Sequence, residues 1–451
     1  MPPSAHHPVR PNPTVPTAPP VRVQPPVRPS AQPPAQWKWQ RLLWAPHRLG
    51  FFLATVLLLA SSLWWTLVQL DRVGWGLGLP LAQSPSLTHA AVMTFGFMPL
   101  FFAGFLFTAG PKWLGLSGPG ARALLGPLLC QWVGWMGWLM GSLVHETVAQ
   151  ACALLAAAGL GWMYLDFIRL IVRSRARERI HAIAVAVAGA VGVLSLLAML
   201  LAANLGDGAV AMAAVQTGLW GCVVVTFVAV LHRMLPFFTS SALPMIEAWR
   251  PFWVFWFLLG VVVLEVLAVW HPLLWAVADP GQDAPRVWML VRGLGELAAG
   301  SVVLWLAVVW GLVQSMRIRL LAMLHLGFLW LGLALLLSGA SQLLGLRLGV
   351  PVLGLGTLHA LTMGALGSLL MAMVTRVACG HSGRTLVADD RVWALFWLLQ
   401  VAVVVRIAAA LPGLSGVWLA LAAGLWTLAM AVWGARLLHW FGLPRADGKP
   451  D

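Results

Sequence analysis

Charged residues are scarce in this chain. Only 9% of its 451 residues are charged and only 14 are acidic, whereas 60% are hydrophobic. A water-soluble globular protein carries roughly 25% charged residues, so the composition excludes that class. The sequence therefore predicts a protein that lies largely within a lipid bilayer.

Cysteine is also scarce. The four cysteines are Cys130, Cys152, Cys222 and Cys379, and no Cys-x-x-Cys pair occurs. This lack argues against a zinc ribbon and against covalent attachment of a c-type heme. We interpret the cysteines as small apolar packing residues.

The chain divides by composition into three parts. Residues 1–36 are rich in proline and contain no acid, which predicts a disordered tail. No early apolar stretch with a cleavage site precedes the first apolar run, so no cleaved signal peptide is expected. We predict a membrane domain over residues 40–440 and a short cytoplasmic tail over 441–451.

Long apolar runs recur along the whole membrane domain. About 18 or more such residues in a helix cross the roughly 30 Å of bilayer hydrocarbon. We predict an all-α polytopic protein with twelve spans, at 49–70, 87–109, 122–143, 147–172, 181–203, 209–232, 252–271, 288–316, 320–345, 352–378, 391–411 and 415–440.

The net charge is +14, and the distribution of the Lys and Arg residues along the chain predicts the orientation of the helices in the membrane. With the N-terminus in the cytoplasm, the outer side keeps only Arg72, Arg286, Arg292, Arg347 and Arg406 of the 28 Lys and Arg residues. Because cytoplasmic loops carry the excess of Lys and Arg, both termini are predicted to be cytoplasmic. A role in binding nucleic acid is not expected.

Two segments place a histidine near the start of an apolar span. His89 precedes Met93 by four residues, and His359 precedes Met363 by the same spacing. Both spans are even in number and run inward, so both histidines are predicted near the outer ends of their helices. Ionisable residues within membranes are costly and usually functional. Two imidazoles at one depth match the axial ligands of a b-type heme.

Other interpretations of these segments remain open. Imidazole and thioether groups are also copper ligands, so His89, Met93, His359 and Met363 are candidate metal ligands. The methionines can instead be ordinary packing residues, and the histidines can form hydrogen bonds between helices. Gly96, seven residues after His89, allows close approach of a flat macrocycle or of a neighbouring helix.

A second group of histidines is predicted at the cytoplasmic ends of the spans. It comprises His47, His232, His325 and His381. These side chains are candidates for a second cofactor site, with His47 and His381 as metal ligands and His232 and His325 as cofactor-binding residues. Arg233 and Arg376 are candidates for holding heme propionates or lipid phosphates, because guanidinium groups pair well with oxyanions. Anchoring by the positive-inside rule is the alternative for both arginines.

Acidic residues at membrane depth are few. Asp166, Glu265 and Glu296 are interpreted as isolated, and they do not indicate a proton path. No inverted repeat or matched pair of broken helices indicates a transporter.

Several motifs together resemble the NnrS family of polytopic heme- and copper-containing membrane proteins. The longest stretch runs from Leu358-His359-Ala-Leu-Thr-Met-Gly-Ala to Thr375-Arg376-Val-Ala-Cys-Gly-His381-Ser-Gly-Arg384. The family pattern there is close to "HALTVGA…MTRASLGHTGR". Further similar stretches are Arg233-Met-Leu-Pro236-Phe-Phe-Thr239, His325-Leu-Gly-Phe and Ala-Pro-His47-Arg. The resemblance covers essentially the whole membrane domain.

The second span departs from the family pattern "HAHEM.FGF". Ala91 and Val92 occupy the positions of the family's second histidine and glutamate. The same span and that of His359 distantly resemble two heme-ligating helices of heme-copper oxidase catalytic subunits. No consecutive His-His pair occurs within the membrane domain, so oxygen reduction is not expected.

The resemblance implies an inner-membrane protein of a Gram-negative bacterium that acts in nitric oxide tolerance or denitrification. It implies heme b, ligated by His89 and His359, and copper as a second metal. Nitric oxide or another diatomic molecule would be the small ligand, and lipid is the predicted environment. Binding of nitric oxide, its turnover and protection of cellular iron remain open, as does enzymatic activity. The alternative is a transporter or channel without redox chemistry.

Overall fold

The computed structural model describes residues 36–279, 286–350 and 352–449. Within these residues the chain is helical and has no strand. Twelve helices there are long and apolar enough to cross a bilayer, which confirms the predicted fold class. They are α1 Pro46–Trp75, α2 Pro85–Trp113, α3 Ala121–Gly141, α4 Glu146–Arg173, α5 Ile180–Asn204, α6 Gly208–Ala242, α7 Phe252–Ala278, α8 Arg286–Val309, α9 Arg319–Leu348, α10 Gly356–His381, α11 Asp390–Ala408 and α12 Gly416–Phe441.

Two helix ends differ from the predicted spans for local reasons. Helix α6 continues to Ala242, ten residues beyond the predicted end at 232, and contains Pro236 within its last turns. Helix α8 ends at Val309, because Gly311 adopts a left-handed conformation with φ of 95° before a short helix, Leu312–Ser315. Residues 1–35 of the predicted tail lie outside the described residues.

The described ends of the chain meet at one end of the bundle. The Lys38 amide donates to the Gly442 carbonyl at 2.9 Å, and the Trp37 indole donates to the Leu438 carbonyl at 3.1 Å. We call this the proximal end. The described loop residues 76–84, 205–207, 349–350 and 352–355 lie at the opposite, distal end. An even number of crossings requires both chain ends on the same side; their cytoplasmic placement remains a prediction.

The inner helices of the bundle are α2, α6 and α10. Between 78% and 83% of the residues in their most apolar stretches are buried, against 28% in α8. Apolar side chains of the outer helices, such as Val263 and Leu267 of α7 and Val308 of α8, face outward. This distribution suits a bundle whose surroundings are lipid.

Each inner helix contains a segment of π-helix. These segments are Val92–Gly96 in α2, Leu219–Val224 in α6 and Ala360–Gly367 in α10, and a further π turn, Asp71–Trp75, ends α1. In α2 the cause is local, since Pro99 has no N–H to donate to the Phe95 carbonyl. Segments of this kind are rare and occur frequently at functional sites.

Helices α1 and α2 come into backbone contact near the proximal end. A Cβ atom built on Gly50 would lie 2.6 Å from the Gly104 nitrogen and 2.9 Å from the Leu100 carbonyl oxygen. A Cβ atom on Gly104 would lie 2.5 Å from the Phe51 ring. Only glycine at both positions allows this approach.

Candidate functional site

His89 and His359 line the same cavity. This space, the histidine cavity, has a volume of about 330 Å³ and lies toward the distal end. Residues of α1, α2, α6, α10, α11 and α12 surround it; they include Trp65, Arg72, Met93, Thr94, Met212, Gln216, Thr362, Met363, Arg406 and Trp426. The two histidines predicted to share a ligand therefore line one cavity, and they come from two different helices, α2 and α10.

The His89 ring is held by a layer of planar groups. It stacks on the Trp65 ring with a centroid distance of 4.0 Å and an angle of 13° between the planes. The Arg72 guanidinium covers the Trp65 ring at 5.4 Å from its centroid. The His89 Nδ1 atom is buried and has no hydrogen-bond partner. The stack fixes the ring plane without using the ring nitrogens.

The His359 ring is held through one of its nitrogens. Its Nδ1 lies 2.8 Å from the Leu355 carbonyl oxygen. Because a carbonyl only accepts, Nδ1 carries the hydrogen, and in the neutral ring Nε2 keeps its lone pair. A hydrogen bond from one ring nitrogen to a backbone carbonyl is the usual way in which a metal-bound histidine is oriented.

The start of α2 is fixed by side chains that surround His89. The Ser84 hydroxyl accepts from the Leu87 amide at 3.4 Å and so caps the helix. The Trp138 indole donates to the Thr88 carbonyl at 3.2 Å, and the Gln83 amide donates to the Thr88 hydroxyl at 2.8 Å. These bonds anchor the turn that carries His89 to α3 and to the preceding loop.

The three π segments adjoin the histidine cavity. Met93 and Thr94 of α2, Leu219 and Val223 of α6, and Thr362, Met363 and Leu366 of α10 all belong to π segments and line this cavity. The Met93 sulfur also accepts a long hydrogen bond from Ser61 of α1, at 3.9 Å. Both predicted methionines thus lie on the cavity wall with their histidines.

Gly96, Ala91 and Val92 lie away from the cavity wall. None of them lines the histidine cavity. A Cβ atom on Gly96 would lie 2.9 Å from the Val92 side chain and 3.3 Å from Leu57 of α1, so its small size serves helix packing. Ala91 and Val92 are fully buried. The family pattern's second histidine and glutamate are therefore replaced at positions outside this cavity.

The donor set fits a cofactor with two axial imidazoles and acidic substituents. Arg72 and Arg406 line the histidine cavity, and its described lining contains no acidic residue. Two guanidinium groups without acidic partners there suit carboxylates such as propionates. Over residues 36–279, 286–350 and 352–449, no group of three or more His, Cys, Asp or Glu side chains is arranged to hold a metal ion. His89 and His359 are the two histidines of the described cavity lining.

At the proximal end, His47 and His381 form a pair. Their ring centroids are 4.5 Å apart, with 40° between the planes. His47 is almost fully buried, and its Nδ1 has no hydrogen-bond partner. The pair joins the start of α1 to the end of α10, and its role as a pair of metal ligands remains a prediction.

His232 is paired with a histidine to which the sequence assigned no role. Its Nε2 lies 3.1 Å from the Pro251 carbonyl oxygen, so Nε2 carries the hydrogen and Nδ1 of the neutral ring accepts. The His181 Nε2 atom donates to this Nδ1 at 2.9 Å. His181 Nδ1 lies 3.3 Å from a carboxylate oxygen of Glu178. Two histidines and one acid therefore form a row at the proximal end.

His325 belongs to a third set of contacts. Its Nε2 lies 2.9 Å from the Thr239 hydroxyl, which itself donates to the Leu235 carbonyl at 2.9 Å. The Thr239 hydroxyl thus accepts from His325 Nε2. The contacts of the four predicted proximal histidines fall into three sets, and none of the four lines the histidine cavity.

Arg233 and Arg376 also lie away from the histidine cavity. Arg233 forms an ion pair with Glu178 at 2.9 Å, and Arg250 contacts the same carboxylate at 3.1 Å. The hydrogen bond from Arg250, together with the charges of both arginines, lowers the pKa of Glu178. The Arg376 guanidinium lies over the Phe238 ring, 4.0 Å from its centroid.

The cavity residues that sequence reasoning missed include Trp65, Arg72 and Arg406. Arg406 lies in the last turn of α11, after an apolar stretch, and a charge at membrane depth is a signal of function. No sequence signal connects Trp65 to His89, because their stacking depends on how α1 packs against α2.

No curated protein matches this sequence. A family model described as NnrS protein matches residues 41–445, which include all twelve membrane helices. The chain therefore belongs to the NnrS family.

Proposed function

We propose that this chain is a heme protein of the bacterial inner membrane that acts in the response to nitric oxide. The observation that carries the proposal is the placement of His89 and His359, from separate helices, on one cavity. His89 has a buried ring nitrogen without a partner, and His359 keeps a lone pair on Nε2. Family membership supports the link to nitric oxide.

His89 and His359 would hold heme b, which supplies reversible one-electron chemistry when bound. The protein's own residues orient the two imidazoles: Trp65 by stacking on His89, and the Leu355 carbonyl by its bond to His359. Arg72 and Arg406 would neutralise the carboxylates of the heme. Most other residues of the wall are apolar, and they would lower the polarity around the cofactor.

A spectrum of the purified full-length protein tests this proposal. We expect sharp heme b bands in the reduced-minus-oxidised difference spectrum, together with iron in the metal analysis. A nitric oxide electrode then distinguishes turnover from binding, because only turnover continues beyond one equivalent. A colourless protein without iron would overturn the proposal and favour the non-redox transporter or channel.

The proximal pair of His47 and His381 is proposed as the copper site. Imidazole is a good copper ligand, and the two rings face each other at 4.5 Å between centroids. The pair is far along α10 from His359, which lies 22 residues earlier and so roughly 33 Å away at 1.5 Å per residue. The two metal groups would therefore occupy opposite ends of the bundle.

Replacement of His381 by alanine tests the copper site. We expect His381→Ala to lose bound copper while it keeps the heme spectrum, since His89 and His359 are untouched. Metal analysis after purification and copper loading provides the measurement. His439→Ala, at the proximal end of α12, is the control and should keep copper. Equal copper in the His381 variant and the native protein would contradict the assignment.

A further inference from the structure

A second and larger cavity adjoins the histidine cavity. Its volume is about 660 Å³, and it lies between α6, α7, α8, α9 and α10. Gln216, Leu355 and Leu358 line both cavities. The exposed residues Gly349 and Gly354 of the distal loop also line the larger one. This space, the side cavity, thus reaches from the distal end to the wall of the histidine cavity.

Two buried acids and one arginine lie where the side cavity reaches membrane depth. Arg292 of α8 bonds Glu296, one turn further along the same helix, at 2.7 Å and Glu265 of α7 at 3.2 Å. The two carboxyl groups are therefore held by one guanidinium group. Glu265 is 3% exposed and Glu296 is fully buried. We call these three residues the carboxyl pair and its arginine.

Each acid has one oxygen that the arginine does not satisfy. Glu265 Oε1 and Glu296 Oε2 are both buried and have no hydrogen-bond partner. With both acids ionised, the group would carry one uncompensated negative charge in a low-dielectric region, which is costly. One added positive charge makes the group neutral and supplies the missing hydrogen bond.

A proton suits this position better than a metal ion. Two neighbouring carboxyl groups are more stable with one shared proton than with both groups ionised, because the two negative charges would repel each other. Hard metal ions need six or more oxygen ligands, and the described residues contain no group of three or more acidic, His or Cys ligands. The arginine already occupies the remaining side of both carboxyl groups.

We propose that Glu265 and Glu296 hold one exchangeable proton between them and pass it to the histidine cavity. When an external one-electron reductant reduces the cofactor proposed for the histidine cavity, the proton would leave the carboxyl O–H and bond to a carboxylate oxygen of that cofactor, which leaves a carboxylate beside Arg292. Water entering from the distal end through the side cavity restores the proton. The transfer rests on the proposed heme function, whereas binding of the proton does not.

Few charged residues line the side cavity beside the carboxyl pair. Arg286 and Arg292 of α8 and Glu265 of α7 are the charged residues of the described lining. The lining residues of α6, α9 and α10 are uncharged and have no titratable side chain. Changes in proton occupancy therefore depend on the pair, on Arg292 and on the more distal Arg286.

Infrared spectroscopy of the purified full-length protein tests proton binding. We expect one C=O stretching band of a protonated carboxyl group at neutral pH, shifted in D₂O. Glu265→Gln and Glu296→Gln should each abolish the band, because the remaining acid and Arg292 already sum to zero charge. Asp166→Asn is the matched control: Asp166 is an acid within α4 that pairs with Arg169 alone, so the band should persist. Survival of the band in either glutamine variant would overturn the proposal.

Arg292→Met should increase the intensity of the protonated carboxyl band, whereas the two glutamine variants should abolish it. Without the guanidinium, both acids should be protonated, and the carboxyl band should double in intensity. An unchanged or absent band in a folded Arg292→Met protein would overturn the proposal. If this variant does not fold, the two glutamine variants, which keep the size and shape of the acids, decide the matter.

Proton transfer needs a separate measurement. We expect an indicator dye in weakly buffered solution to record proton uptake when the native protein is reduced, and this uptake should be lost in Glu265→Gln and Glu296→Gln. Unchanged uptake in the variants would overturn transfer while proton binding stands. A protein without heme would overturn transfer together with the proposed function, and the infrared result would still decide binding.

Discussion

Alanine at His89 or at His359 is expected to abolish heme binding. Each residue would supply one of two axial ligands, and the described lining of the cavity contains no third histidine. Loss of even an outer partner of a metal ligand costs about 10–100-fold in affinity, so we expect a loss of more than about 100-fold on removal of the ligand itself. Heme per protein, measured from the reduced absorbance band after purification, should fall to background in both variants.

His271→Ala is the control for this pair of variants. His271 lies near the distal end of α7 and stacks on Trp288 at 4.4 Å, but it lines neither cavity. Its replacement removes the same imidazole from a similar depth and should leave the heme band intact. Native heme content in His89→Ala or His359→Ala would exclude the ligand assignment.

Gly50→Ala is expected to lower the stability of the protein markedly, although it adds only one methyl group. The new Cβ atom would meet backbone atoms of α2 at 2.6–2.9 Å, and backbone cannot move aside as a side chain can. Overpacking of this kind costs about 1–3 kcal/mol. Thermal unfolding of the purified protein in detergent, followed by tryptophan fluorescence, should show a clearly lowered midpoint.

Gly161→Ala provides the same chemical change without the contact. A Cβ atom on Gly161, in α4, would have no heavy atom within 4 Å. Alanine stabilises an exposed helix position by about 1 kcal/mol or less relative to glycine. The unfolding midpoint of Gly161→Ala should therefore be unchanged or slightly raised. Equal midpoints for the two variants would show that α1 and α2 do not need this close approach.

The helices of this fold were predictable from the sequence because each depends on local composition. The apolar runs predicted all twelve spans, and the parity of α2 and α10 placed His89 and His359 toward the same end. The end of α8 was missed because Gly311, within an apolar run, reverses the backbone. A hydropathy profile does not detect the left-handed conformation of one glycine.

The site was only partly predictable because most of its contacts join distant parts of the chain. Trp65 reaches His89 across 24 positions of sequence, and Arg406 reaches the same cavity from α11. The acids Glu265 and Glu296 were interpreted as isolated, whereas Arg292 bonds both. The spacing of four residues between Arg292 and Glu296 was the available signal, since such pairs share a helix face.

The meeting of the chain ends has a consequence for the order of biosynthesis. Trp65 of α1 and Trp426 of α12 both line the histidine cavity, although these two helices lie at opposite ends of the membrane domain in the sequence. The buried Arg48 of α1 donates to the Phe441 carbonyl at 2.7 Å. The buried hydrogen bond of Arg48 therefore forms only when the end of α12 has packed against α1. The wall of the cavity is therefore incomplete until translation of the membrane domain has finished. Loading of the proposed heme would accordingly follow insertion of all twelve membrane helices.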